Sequence, residues 1–325
     1  MNTKDHVLEL LEQHRGESIS GGYIAERLQL SRNAVWKAIG GLRKDGYNII
    51  AATNKGYLLS DENDILSVQG IKPFLSERSL PYVDHIRIYN SLESTNKTAK
   101  EMAVAGAAHG TVIIADCQSA GKGRYARLFF SPSGGLYMSL ILDPASLRFE
   151  HITSVTAFAA VSVCESIEAI SEKVPMIKWV NDIFIDGKKV CGILTEAVSD
   201  FESGSLGWIV LGIGINVNTP AEDFPRELRD AATSIYPDAK SAGIRNRLSA
   251  EIINRILGFE VCPDEAELFK KYKNRLMMLG KDITVTQGKT AYKARAKDID
   301  SAGHLIVERE GGEILTLSAG EIHIQ

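Results

Sequence analysis

The sequence predicts an α+β protein built from several domains. Its 325 residues exceed the usual size of a single domain. The first sixty residues contain short amphipathic helical patterns separated by a tight turn. The middle of the chain alternates apolar strands with helices, whereas the last fifty residues switch to short period-two strands separated by glycine turns. We therefore expect a helical N-terminal domain, a mixed α/β centre and a small antiparallel β-barrel at the C-terminus.

Composition excludes several classes of protein. Net charge is −4, and 44% of residues are hydrophobic, which is typical of a globular protein. The four cysteines form no C-x-x-C pair and the seven histidines show no paired spacing, so we expect neither a disulfide framework nor a metal held by the protein alone. The N-terminus lacks the apolar core of a signal peptide, and no apolar run approaches the roughly 20 residues that span a bilayer. These features predict a cytoplasmic protein with no membrane partner.

The N-terminal domain, residues 1–63, has the pattern of a winged helix. A helix is expected from Lys4 to His14, and Ser20 is a plausible N-cap for the next one. A further helix, which Ser31 can cap, runs from Ser31 to Lys44 and gives a helix-turn-helix at about residues 21–40. Two short strands follow, at 47–52 and 56–59, and form the wing.

This domain is expected to bind DNA, with its last helix in the major groove and the wing tip on phosphate. The alternative is a winged-helix scaffold used for protein contacts. Trp36, on the same helix, is expected in the core or between helices because large aromatic side chains are mostly buried. The residues predicted to contact DNA are Ser31, Arg32, Asn33, Lys37 and Lys55.

A glycine-rich basic loop follows a buried strand in the middle of the chain. The β-branched run Thr111–Ala115 reads as that strand, and the loop extends from Gln118 to Ser131. Glycines let backbone N–H groups approach a ligand closely, and cationic side chains neutralise negative charge. The loop therefore suits an anion, although a mobile surface loop with solvated charges is the alternative.

Three further motifs accompany this loop. Ser94-Thr95-Asn96 opens a helix and could grip an amide-like ligand group, or could simply cap the helix. Lys178 lies in an apolar strand, where its charge is costly unless it meets an anion or reaches water. Gly212 and Gly214 permit close approach to a buried strand. No glycine set matches a known nucleotide fingerprint, so these residues indicate an anion-binding pocket without identifying its ligand.

Taken in order, these motifs resemble biotin–protein ligase: Ser-Thr-Asn, Gln-x-x-Gly-Lys-Gly-Arg, Lys-Trp-x-Asn-Asp and Gly-x-Gly-Ile-Asn. A preceding winged helix is similar to the bifunctional form, which also represses the biotin operon. The resemblance implies a catalytic domain of biotin/lipoate ligase type over 64–272 and an SH3-like domain over 273–325. It implies that ATP and biotin form biotinyl-5′-adenylate, and that biotin then passes to a lysine of the biotin carboxyl carrier protein. It also implies a homodimer that binds operator DNA when the adenylate is bound.

The resemblance assigns roles to individual residues. Lys178 and Arg124 would be catalytic, and Mg²⁺ would accompany ATP. Biotin would contact Ser94, Thr95, Asn96, Gln118, Gly121, Lys122, Gly123, Arg124, Lys178 and Gly192. ATP and its Mg²⁺ would contact Arg127, Phe129, Asn181, Asp182 and Asn216.

Four positions depart from the usual pattern of the family. Lys122 stands where Arg is commoner in the family; lysine keeps the charge but cannot form the bidentate hydrogen bonds of arginine. Ala126 replaces a glycine and would stiffen the loop if φ is positive there, while Phe129 replaces a tryptophan and Val180 a proline.

Two other functions stay open: a lipoate–protein ligase, and a ligand-sensing transcription factor without ligase activity. The C-terminal barrel would help ATP or the carrier to dock, or would only cap the centre.

Overall fold

The computed structural model describes residues 2–52, 55–147, 149, 151–199, 206–238, 243–259, 264–288 and 290–324. Within these ranges the strands form three separate sheets. The helices are α1 (Thr3–Gln13), α2 (Gly21–Arg27), α3 (Arg32–Lys44), α4 (Val68–Ile71), α5 (Thr95–Val104), α6 (Pro144–Leu147), α7 (Ile152–Ile170), α8 (Ile244–Leu257) and α9 (Glu265–Asn274). The strands are β1 (Ser18–Ile19), β2 (Ile49–Ala52), β3 (Gly56–Leu59), β4 (Ile86–Leu92), β5 (Thr111–Gln118), β6 (Leu136–Leu142), β7 (Met176–Lys178), β8 (Asp182–Ile185), β9 (Lys188–Ser199), β10 (Leu206–Ile215), β11 (Asp282–Gln287), β12 (Thr290–Ile299), β13 (Leu305–Arg309), β14 (Ile314–Leu317) and β15 (Glu321–Ile324).

The N-terminal helices pack beside a small antiparallel sheet of order β1-β3-β2. Both predicted N-caps are confirmed, since the Ser20 and Ser31 hydroxyls accept hydrogen bonds from backbone N–H groups of the first turns of α2 and α3. These bonds satisfy donors that have no partner inside the helix. Strands β2 and β3 form the predicted wing. Residues Thr53 and Asn54 of its turn lie outside the described residues.

The prediction that Trp36 is buried is wrong, because its side chain is 65% exposed. The reason is the phase of α3. Val35, Ile39 and Leu42 form the buried stripe of this helix, and each successive residue is rotated by about 100°. Trp36 is therefore turned away from the stripe and projects into solvent.

The central sheet has the order β4-β5-β6-β10-β9-β8-β7. Strands β4 and β5 are parallel, and the other neighbours are antiparallel. Helix α5 packs on one face of this sheet over a small apolar cluster. Helix α7 packs on the other face, with α8 against it, and forms the large apolar core. The dipeptide Asp186-Gly187 predicts a two-residue hairpin turn. This turn is confirmed between β8 and β9, where both residues have positive φ.

Helix α7 is long and apolar enough to cross a membrane on length and composition alone. Its window Thr153–Ile170 is 67% buried inside the protein. The core helix of a globular protein can be equally long and apolar, and the side chains of α7 pack against the central sheet. Burial in the fold thus accounts for its apolar character.

The C-terminal strands form an antiparallel sheet of order β14-β13-β12-β11-β15. Two features differ from the sequence prediction. The apolar spacing predicts a helix from Glu265 to Leu279, but α9 ends at Asn274. The chain also forms a last strand, β15, that no sequence pattern predicts. Strand β15 pairs with β11 over four residues, too short a segment for its alternation to be distinctive. It matters because it borders the candidate active site.

Candidate active site

A cavity of about 280 Å³ lies between the central sheet, the loop after β5 and strand β15. It gathers residues that are far apart in the sequence. The sequence-predicted site residues that line it are Ser94, Thr95, Asn96, Gln118, Lys122, Gly123, Arg124, Arg127, Phe129, Lys178, Asn181, Asp182 and Gly192. Gly320, Glu321, Ile322 and His323 of the C-terminal sheet also line it.

Two of the residues predicted to contact biotin or ATP, Gly121 and Asn216, do not line the cavity. Gly121 lies at the base of the loop, where its carbonyl accepts a hydrogen bond from the Phe129 N–H. A Cβ at this position would lie 2.5 Å from the Ser131 Oγ, so glycine is required by packing. Asn216 is buried, and its side-chain amide donates to the Thr233 carbonyl at 3.1 Å. Both residues support the walls of the cavity.

One end of the cavity is a fixed polar cluster. The Gln118 Oε1 accepts hydrogen bonds from the Thr95 N–H at 2.8 Å and from the Thr95 hydroxyl at 3.1 Å. The Gln118 Nε2 donates to the Ser131 Oγ at 3.0 Å. Ser94 occupies the N-cap position of α5, but in the described part of the chain its side chain makes no capping bond. Gln118 thus holds the first turn of α5 to the loop.

Asn96 is the most constrained side chain of this cluster. Its Nδ2 donates to the Glu196 Oε2 at 2.8 Å, and its Oδ1 accepts from the Ser139 hydroxyl at 2.7 Å. Burial opposes ionisation of Glu196, but hydrogen bonds from Lys100 and Asn96 outweigh it, and the pKa of Glu196 falls below its ordinary value. An ionised Glu196 therefore fixes the orientation of the Asn96 amide.

Glycines form the floor of the cavity, where side chains above them leave little space for a Cβ. At Gly212 a Cβ would lie 2.0 Å from the Asn96 Oδ1. At Gly214 it would lie 2.7 Å from the Phe129 ring, and at Gly192 3.2 Å from the same ring. The sequence pattern Gly-x-Gly on β10 thus reflects close packing of Asn96 and Phe129 on the sheet.

Two lysines face the cavity from β7 and β9, the strands on either side of β8. Lys178 ends β7, with its Nζ 5.6 Å from the centroid of the Phe184 ring, and burial lowers the pKa of this lysine despite the nearby Asp182. Lys189, on β9, forms a 2.7 Å ion pair with Asp182 and lies over the Phe129 ring. Lys189 is not among the predicted site residues. Together the lysines place two positive charges beside the polar cluster.

The basic loop folds as a short hairpin. Gly123 donates its N–H to the Arg127 carbonyl at 2.8 Å, and the turn between them contains Tyr125 at φ +55° and Ala126 at φ +58°. Ala126, which stands where the family has glycine, therefore has positive φ, and this conformation strains an alanine. The Trp179–Val180 peptide bond, at another of the four departures, is cis.

Arginines of the loop connect it to the rest of the cavity. Arg124 donates to the Asn181 Oδ1 at 3.1 Å and to the Gly320 carbonyl at 3.2 Å. Arg127 forms a 2.8 Å ion pair with Glu321 on β15. The C-terminal sheet thus contacts the loop directly and closes one side of the site.

The described residues contain no group of three or more His, Cys, Asp or Glu side chains that could hold a metal ion. Two carboxylates line the cavity, those of Asp182 and Glu321. Each already forms an ion pair, with Lys189 and Arg127 respectively. A divalent cation here would need further oxygen ligands from a bound phosphate.

The predicted DNA-contacting residues lie on the exposed side of the winged helix. Arg32, Asn33 and Lys37 are exposed on α3, and Lys55 is exposed at the end of the wing turn. The Ser31 hydroxyl already caps α3 by accepting from the Ala34 N–H at 3.1 Å. Its side chain therefore has a structural role at the start of this helix.

The chain matches three protein families in sequence. Residues 3–58 match an HTH domain, residues 88–216 the biotin/lipoate A/B protein ligase family, and residues 278–324 the biotin protein ligase C-terminal domain. These matches confirm the predicted fold class. A solved structure, biotin protein ligase from Aquifex aeolicus in complex with biotin and ATP, is similar with a TM-score of 0.63 and 28% identity, covering 74% of this chain and 98% of that one.

Full-length relatives extend the similarity over the whole chain. The bifunctional ligase/repressor BirA of Bacillus spizizenii is 36% identical over 313 residues, which covers 94% of each protein. That of Escherichia coli is 27% identical, covering 91% of this chain and 90% of the relative. The resemblance inferred from the four motifs is thereby confirmed. The chain belongs to the family of the bifunctional ligase/repressor BirA.

Proposed function

We propose that the protein activates biotin with ATP to biotinyl-5′-AMP and transfers the biotinyl group to a lysine of a carboxylase carrier domain. The adenylate-bound form represses biotin genes. The observation that carries this function is the cavity itself, which joins a fixed amide-binding cluster at Thr95, Asn96 and Gln118 to a pair of lysines. One end suits a cyclic urea group, and the other suits a carboxylate that meets a phosphate.

The first step joins the biotin carboxylate to the α-phosphorus of ATP, and pyrophosphate leaves. Negative charge accumulates on the α-phosphate oxygens in the transition state. Lys178 and Lys189 lie on the cavity wall with their charges partly withdrawn from water, where they stabilise this charge more strongly than they would in solution. Arg124, held by Asn181 and Gly320, adds a third cation.

In the second step the amine of the carrier lysine attacks the acyl carbon of the adenylate, and AMP leaves. Arg124 and Arg127 hold the basic loop over the cavity through a hydrogen bond to the Gly320 carbonyl and an ion pair with Glu321. A closed loop shields the mixed anhydride from water until the carrier arrives. We assign Arg127, Phe129 and Asp182 to the nucleotide side, with Mg²⁺ carried in on the ATP phosphates and Asp182 as its protein carboxylate.

The repressor role uses α3, the wing and a homodimer formed when the adenylate is bound. We propose domain limits at 1–63, 64–272 and 273–325, and we propose that the protein works in the cytoplasm. Arg32, Asn33, Lys37 and Lys55 are exposed cations or amides suited to phosphates and base edges. Sedimentation with biotin and ATP, compared with biotin alone, tests the dimer.

The ligase assignment is tested with a purified biotin carboxyl carrier domain as acceptor. We expect ATP-dependent labelling of its lysine with biotin and none with lipoate. Labelling with lipoate would identify a lipoate ligase instead. Specific DNA binding without labelling by either acid would identify a sensor without ligase activity.

A further inference from the structure

The exposed face of α3 carries a tryptophan that the winged-helix core does not use. Trp36 is 65% exposed, whereas Trp179 in the central domain is 3% exposed. Burial of a large apolar side chain is favourable by roughly 2 kcal/mol, and tryptophans are highly buried on average. A tryptophan left in solvent on a short helix therefore indicates a surface that meets a partner.

Cationic and amide side chains surround Trp36 on this face. Arg32 and Asn33 lie one turn before it on the helix, Lys37 follows directly, and all three are exposed. Residues three or four positions apart lie on the same side of a helix. The indole is thus framed by groups that bind phosphates and base edges, which favours a nucleic acid over an apolar protein surface.

Gly40 leaves the helix surface beside Trp36 without a covering side chain. It lies one turn after Trp36, and a Cβ added there would meet no heavy atom of the described residues within 4 Å. Packing therefore does not require glycine, although glycine destabilises a helix interior by roughly 0.5–1 kcal/mol relative to alanine. A helical side chain covers the turn before its own Cα, so its absence at 40 leaves the surface beside Trp36 open to close approach.

We propose that Trp36 is a specificity-determining residue that contacts thymine methyl groups in the major groove. This inference rests on the proposed repressor function, and it deepens that function by naming the base chemistry that is read. The C5-methyl of thymine is the apolar group that the major groove presents. Arg32 and Lys37 bind the flanking phosphates, and Asn33 suits the adenine of an A·T pair.

The first experiment selects operator duplexes from a randomised library with the full chain in the presence of biotin and ATP. Binding of the selected duplex and of an unselected one is then measured at several salt concentrations. Trp36→Ala should weaken specific binding about 10- to 100-fold, which is the usual cost of one mismatched base pair, and leave non-specific binding and the salt slope unchanged. Lys37→Ala, the matched control, should weaken both and reduce the slope by about one.

The second experiment removes the methyl group from the DNA. Single thymines of the selected duplex are replaced by uracil. Wild-type protein should lose affinity at the contacted positions, whereas Trp36→Ala should not respond at those positions. Trp36→Phe should keep part of the preference because it keeps an apolar ring. Biotin transfer by all variants should equal wild type, which shows that the catalytic domain is unaffected, and the retained non-specific DNA binding of Trp36→Ala shows that its winged helix is folded.

Three results would overturn the inference. The first is equal loss of specific and non-specific binding in Trp36→Ala, and the second is an unchanged response of this variant to uracil. The third is weakened self-association of Trp36→Ala in sedimentation with unchanged DNA binding, which would assign the surface to a second copy of the chain. If wild-type protein selects no sequence at all, the repressor function fails, and the inference fails with it.

Discussion

Among the arginines of α8, Arg245 is the one whose replacement should destabilise the protein most. Its guanidinium is buried and forms 2.6 Å ion pairs with both Asp64 and Asp116. It also donates to the backbone carbonyls of Asp64 and Gly135. Asp64 follows the winged helix in sequence, and Asp116 lies two residues before Gln118 on β5, so one side chain joins three parts of the chain.

The magnitude follows from the two carboxylates left behind. Removing one partner of a buried ion pair costs about 3–5 kcal/mol. The side chains of Asp64 and Asp116 are 16% and 33% exposed, so water would partly solvate them. We therefore expect Arg245→Ala to lower the free energy of unfolding by about 3 kcal/mol, at the lower end of that range.

Urea unfolding of the full chain measures this change through the midpoint and the slope of the transition. Arg247→Ala is the matched control, because Arg247 lies on the same helix, is exposed and donates only a 3.3 Å hydrogen bond to Ala169 among its described contacts. It should change stability by about 0.5 kcal/mol or less. Equal stability of the two variants would refute the argument that Arg245 holds a buried ionic junction.

Three further predictions concern the cavity. Gly212→Ala should raise the KM for biotin at least about tenfold, since its Cβ would lie 2.0 Å from the Asn96 Oδ1; an unchanged KM would contradict the packing argument. Ala126→Gly should relieve roughly 1 kcal/mol of strain at φ +58° and slow hydrogen exchange of the Gly123 amide about fivefold, whereas faster exchange would show that the turn is unstrained. Lys178→Met should abolish adenylate formation yet stabilise the fold by about 1 kcal/mol at neutral pH, because burial lowers the pKa of Lys178. The free energy of unfolding of the wild-type protein should rise with pH between the pKa of Lys178 in the folded state and its pKa in the unfolded state. The stability advantage of the variant, measured by urea unfolding, should therefore shrink over this pH range; a constant advantage would contradict the burial argument.

Local signals predicted much of the fold. The serine caps of α2 and α3 and the Asp186–Gly187 hairpin depend on a few adjacent residues, and each is confirmed. The four motifs likewise lie close to cavity walls because each follows or ends a strand. Such features are readable because their causes are local in sequence.

Long-range features were not predictable in the same way. Lys188 and Lys189 are neighbours on β9, and strand alternation sends them to opposite faces. Which one reaches the cavity depends on an irregular register between β8 and β9, at Ile183 and Phe184, that no local pattern reveals. Strand β15 is four residues long and is defined by its partner β11 rather than by its own sequence.

Biotin-dependent exchange of labelled pyrophosphate into ATP tests the central claim most directly, because it reports the adenylating step without a carrier or DNA. Lipoate serves as the parallel substrate, and Lys178→Met as the inactive control. We predict exchange with biotin, none with lipoate and none in the variant. Absence of exchange with biotin in the wild-type protein would contradict the ligase function assigned to this cavity.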